Sequence, residues 1–215
     1  MTKQAAPIYT GRAFDRFVNF SDAVVAVAIT VLVLPIADLP IQRNEETVWE
    51  VLSDNSGLII TFFFTFAVVG SFWWTHNRII NQLIGFDSTL LWLNLGWIAS
   101  IAFLPVSSYL YGAADRNGNT GWNGAGLDGA GLLYWGSISV VSLGTTLMSS
   151  HIRKNPGLVD PQITDPSVLS SDWHKRYRGL AFTAYLVLAA LVSIPYPTIA
   201  PWMPLGLIVV GRVMR

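Results

Sequence analysis

The sequence predicts an all-α membrane protein with six transmembrane helices in its 215 residues. Apolar runs recur at lengths near the roughly 20 residues that cross about 30 Å of hydrocarbon. A mean hydropathy of +0.47, with 52% hydrophobic and 12% charged residues, leaves too little polar surface to cover a water-soluble core. The basic residues also gather on one side of the runs, as cytoplasmic loops require.

Six spans follow in order: Phe17 to Ala37, Leu58 to Trp74, Thr89 to Tyr111, Gly131 to Ser150, Leu180 to Ile194 and Thr198 to Val213. The last two are short and separated only by Pro195, Tyr196 and Pro197, which predicts a tight helical hairpin, with a single kinked span as the alternative. Between the spans, residues 111–131 are rich in Gly and Asn and read as an external linker. His151 to Tyr177 carries Pro156, Pro161 and Pro166 and reads as a surface loop with one short helix near Ser167 to His174.

With the N-terminus inside, only Arg43 and Arg116 of the 13 basic residues fall outside. The outer segments instead hold Asp38, Glu45, Glu46, Glu50, Asp54, Asp115 and Asp128. Both termini are therefore expected in the cytoplasm, and the lipid bilayer is the surrounding medium.

Several classes of function are disfavoured. Thirteen acidic residues balance the 13 basic ones, which argues against nucleic acid as a partner. The absence of Cys removes thiol catalysis and iron–sulfur clusters. Walker, Rossmann, H-E-x-x-H and G-x-S-x-G patterns are missing, so neither an enzyme nor a cofactor is expected.

The most informative stretch is Arg16 to Asp22, R-F-V-N-F-S-D, which opens the first span. A carboxylate there is costly unless it finds a partner. At 1.5 Å per residue, Asp22 lies at a depth that Trp73, Trp74, His76 and Asn77 at the end of the second span and Asn94 in the third can share. Three readings stay open. Asp22 ties the helices together through buried hydrogen bonds; or Asn19, Ser21 or Asp22 caps the first helix, with Trp73 and Trp74 as an interfacial belt; or Asp22 binds a proton or cation. At about 100° per residue, Val27, Val31 and Leu34 fall about 120–180° away from Asp22, a stripe that by itself reads as ordinary lipid-facing or core surface.

Arg16-x3-Phe20-Ser21-Asp22 at the start of a first span, W-x-x-H at Trp73 to His76, and Asn94 paired with Pro105 by N-x10-P resemble the transmembrane protein 175 family, the endolysosomal potassium channels and their prokaryotic relatives. The resemblance covers Arg12 to Pro105, and six spans match the prokaryotic single-repeat form.

It implies a potassium channel, selective for K+ over Na+, built as a homotetramer in a prokaryotic plasma membrane. The first helix then lines a central pore, and the hydrophobic constriction falls on Val27, Val31 and Leu34, with Thr30 flanking it. Arg16, Phe20, Ser21, Asp22, Trp73, His76 and Asn94 are implied as a signature and helix-packing network. Two constriction positions carry Val where the family usually has Ile or Leu, which implies a wider gate. No bound metal is implied beyond permeating K+. The alternative is a proton- or sodium-coupled secondary transporter using Asp22 and His76, against which stands the lack of inverted repeats.

Overall fold

The computed structural model describes residues 7–39, 47–113, 129–162, 173–196 and Met203. Four helical stretches within it are long and apolar enough to cross a membrane. The first is α1 (Arg12–Val31) with the short α2 (Leu34–Ala37) that continues it. A small helix, α3 (Val48–Asp54), precedes the second, α4 (Ser56–Ile80). The third and fourth are α5 (Ser88–Ala113) and α6 (Ala130–Lys154). A further helix, α7 (Trp173–Val192), carries a shorter apolar stretch over Gly179–Val192. The expected sixth span, the linker beyond Ala113 and the short helix near Ser167 fall wholly or mostly outside the described residues.

The join between α1 and α2 is a tightened turn and not a break. Leu32 and Val33 keep right-handed helical angles, and the Val33 N–H donates to the Thr30 carbonyl at 3.3 Å. Pro35 sits in the first turn of α2, where its missing N–H costs nothing. Leu34 therefore follows a local overwinding, which shifts its angular position from the value a straight helix gives.

α5 is the centre of the bundle. It packs along α6, α4 and α1, and α7 packs on the far side of α6. Its buried side runs through Leu90, Asn94, Trp97, Ile101, Leu104 and Ser108, the three- and four-residue spacing of one helix face. Pro105 lies inside the helix and is buried.

At the basic end a two-stranded ribbon ties the N-terminal segment to the α4–α5 connection. β1 (Tyr9–Thr10) pairs antiparallel with β2 (Gly85–Phe86), Tyr9 opposite Phe86. Gly85 is required there, because any Cβ would be driven into the Tyr9 carbonyl oxygen. Phe86 stacks on Tyr9 and on Phe17 of α1, with ring centroids 5.4 and 4.6 Å apart, so the ribbon fixes where α1 starts. The segment after α6 joins it: the Ile84 N–H donates to the Leu158 carbonyl, and the Asp160 N–H to that of Gln82, each at 2.9 Å.

At the acidic end α3 is started by a capping box. The Thr47 N–H donates to Glu50 at 2.6 Å, and the Glu50 N–H donates to the Thr47 hydroxyl at 3.3 Å. These bonds favour the ionised carboxylate and hold the Glu50 carboxyl below its ordinary value.

Candidate functional site

α1 begins at Arg12, ten residues before Asp22, and Gly11 at its N-cap makes no side-chain bond. Asn19, Ser21 and Asp22 are thus inside the helix, which removes the capping reading for all three. Ser21 is fully buried, on a stripe with Phe17, Val25 and Ala28 that faces the other helices.

From that stripe a hydrogen-bonded chain crosses three helices. The Ser21 hydroxyl donates to the Phe17 carbonyl at 3.0 Å and accepts from Asn94 Nδ2 of α5 at 2.7 Å. Asn94 Oδ1 pairs with His76 Nε2 of α4 at 2.7 Å. An amide oxygen can only accept, so His76 is the donor and carries its proton on Nε2. The imidazole also stacks on Trp97, 4.2 Å between centroids and 10° from parallel, and the Trp97 indole N–H donates to Thr145 of α6 at 2.9 Å. Beside this chain, the Trp73 indole N–H donates to Asp22 Oδ1 at 2.9 Å.

The structure thus brings together Ser21, Asp22, Trp73, His76 and Asn94. Asp22 and His76 share the cluster without bonding to each other. Arg16 and Phe20, expected with them, take no part in it. The reason is angular: both lie about 100–140° from Ser21, on the side of α1 that faces away from the bundle. Val27, Val31 and Leu34 lie on that same exposed side, 61%, 37% and 52% exposed in the single chain. Thr30 is exposed beside them, its hydroxyl donating to the Val27 carbonyl at 2.8 Å. α1 therefore turns the bonded Ser21 inward among Phe17, Val25 and Ala28 and leaves Val27, Val31 and Leu34 uncovered on its other side.

Sequence reasoning missed Asp87 and His151. Asp87 Oδ1 accepts from the Leu90 N–H at 2.8 Å, capping α5, and the carboxylate bonds His151 Nε2 of α6 at 2.8 and 3.0 Å. Asp-Ser ahead of an apolar run is a helix-start signal that could have located the cap. Nothing local announces its partner 64 residues on. Trp97 was missed too, although it lies three residues from Asn94 and so on the same face.

These features define a helical membrane protein whose exposed first helix is anchored by a buried polar network. The family described as "Endosomal/lysosomal potassium channel TMEM175" matches residues 16–105, the part that holds the network. A zebrafish (Danio rerio) protein named as an endosomal/lysosomal proton channel TMEM175 is 28% identical over 148 residues, 69% of this chain and 26% of that protein. The chain spans about a quarter of that relative. A protein of Chryseobacterium sp. (strain P1-3), named as a potassium channel, is 23% identical over 185 residues, 86% of this chain and 85% of its own. The crystal structure of a lysosomal potassium-selective channel TMEM175 homologue from Chamaesiphon minutus shares the fold, with a TM-score of 0.71 at 19% identity over 95% of this chain and all of that one. Over residues 16–105 the chain is thus similar to the TMEM175 family.

Proposed function

We propose that the chain forms a cation channel that passes K+ in preference to Na+. Four copies assemble in a prokaryotic plasma membrane with both termini in the cytoplasm, and α1 of each lines a central pore. The named activities of the relatives support the class. The observation that carries the mechanism is the two-sided character of α1: Ser21 and Asp22 are taken up by the network, while Val27, Val31 and Leu34 are left uncovered.

Repeated around an axis, that apolar stripe forms a narrow, dry constriction that blocks ions by dewetting. Thr30 supplies the polar element. Its proton is committed to the Val27 carbonyl, so its oxygen lone pairs are left for a partly dehydrated cation. Asp38, exposed just beyond α2, raises the local cation concentration above the mouth. Valine at two constriction positions makes the gate wider than Ile or Leu would.

The test is single-channel recording of reconstituted protein under bi-ionic K+ and Na+. Val31→Asn places a ring of amides where the constriction is dry, so conductance should rise and discrimination fall. Val140→Asn on α6, also at an exposed Val, should change neither. Unaltered conductance and selectivity in folded Val31→Asn protein would remove α1 from the ion pathway.

A further inference from the structure

Four buried side-chain polar atoms have no hydrogen-bond partner among the described residues: Asn55 Oδ1, Thr61 Oγ1, Tyr111 OH and Trp135 Nε1. All lie toward the acidic end, where α4 and α6 begin and α5 ends. Thr61, Tyr111 and Trp135 are 3%, 4% and 1% exposed, well inside the bundle. A polar group so placed in a membrane protein has no bulk water to turn to, and leaving it unpaired costs more than a hydrogen bond returns.

The geometry concentrates these atoms further. A Cβ on Gly112 would lie 3.0 Å from the Leu58 Cα, which sets the end of α5 beside the first turn of α4, three residues before Thr61. The Tyr111 ring stacks on Tyr134 at 4.8 Å and 11°, and Trp135 packs edge-on against Tyr134 at 5.7 Å. Tyr134 itself is satisfied. The Thr65 hydroxyl donates to the Thr61 carbonyl at 2.7 Å, so in the 2.7 Å Thr65–Tyr134 pair it is Tyr134 that donates. The Tyr111 hydroxyl lies near enough to the Trp135 indole N–H to interact with it, yet outside hydrogen-bond geometry.

We propose that this cluster is a buried water site: one water accepts from Trp135 Nε1–H and donates to the Tyr111 hydroxyl, with the Thr61 hydroxyl as the third polar group lining it. Water fits the donor inventory. The indole offers only a proton, the two hydroxyls offer both roles, and a buried water makes about three hydrogen bonds. A cation does not fit, because the indole N–H points its positive end at the site and no carboxylate is among the three groups. The water joins α4, α5 and α6 near the acidic end as the Asn94 network joins α1, α4 and α5 near the basic end. This assignment is independent of the channel reading.

Hydroxyl-radical footprinting of the intact protein in lipid nanodiscs tests it. A short X-ray pulse makes radicals from water where it sits, and mass spectrometry reads which side chains are oxidised. Trp97, equally buried but partnered by Thr145, is the internal reference. Trp135 and Tyr111 should oxidise several-fold faster than Trp97, and Tyr111→Phe should slow Trp135 several-fold. Thr61→Val, which keeps the shape, serves as the second variant, and the wild-type comparison needs none. Radicals made chemically in bulk solution should leave both residues unlabelled. Oxidation no faster than that of Trp97 would overturn the site, and so would equal labelling by bulk radicals, which would mean a crevice open to solvent.

Discussion

Asn94 is the residue on which the basic end of the bundle turns, because one amide satisfies two helices with opposite ends of its side chain. Its oxygen takes the His76 proton, and its nitrogen reaches Ser21. Removing it leaves the buried His76 N–H without an acceptor, at about 1–3 kcal/mol, and takes one of two bonds from Ser21, whose hydroxyl still donates to the Phe17 carbonyl. Asn94→Ala should therefore lower the melting temperature of the purified protein more than Ser21→Ala, which deletes a group that Asn94 can partly do without. Asp22 has a different dependence, since Trp73 needs only an acceptor. Asp22→Asn should retain much of the stability that Asp22→Ala loses. Thermal unfolding in detergent orders the four variants, and equal losses for Asp22→Asn and Asp22→Ala would show that charge rather than the indole bond sets the role of Asp22.

At the scale of elements, Asp87 holds the start of α5 and the end of α6 together, so its two jobs can be separated. Asp87→Ala should cost about 0.5–2 kcal/mol for the lost cap and more for the orphaned His151. Asp87→Ser should recover the cap alone. A melting temperature for Asp87→Ser midway between wild type and Asp87→Ala is the expected outcome in the same assay.

That pair also marks how far the sequence is legible. Apolar runs are a summed signal over many residues, which is why α1, α4, α5 and α6 can be read from hydropathy. Depth arithmetic could bring Asp22, Trp73, His76 and Asn94 to one level, because adjacent antiparallel helices leave little freedom. It could not say which bonds which, nor see that Arg16 and Phe20 turn outward. A ribbon of two residues per strand has no period to detect, and a pair as distant as Asp87 and His151 depends on how α5 and α6 settle against each other. The tightened turn at Leu32 and Val33 had no signal beyond Pro35.

Among the described residues, large apolar side chains are uncovered on α4 and α5 as well as on α1, and the channel reading assigns them differently. Phe63 on α4 and Trp92 on α5, 65% and 71% exposed, suit contact with lipid. The stripe on α1 is assigned to an axis shared by four copies, where each substitution is repeated in a ring. The chain has no Cys, so any introduced thiol is the only one present. In Val31→Cys protein, a ring of thiols around a narrow pore presents several soft ligands to one thiophilic ion, and Cd2+ should bind there and block the current. Phe63→Cys spreads the same four thiols over the lipid-facing perimeter, too far apart to share an ion, and Cd2+ should leave its current intact. Wild-type current under Cd2+ gives the baseline, and a reducing chelator should restore the blocked variant. Val31→Cys channels that conduct normally in Cd2+, in protein that folds and assembles, would place the pore elsewhere and return the α1 stripe to the lipid.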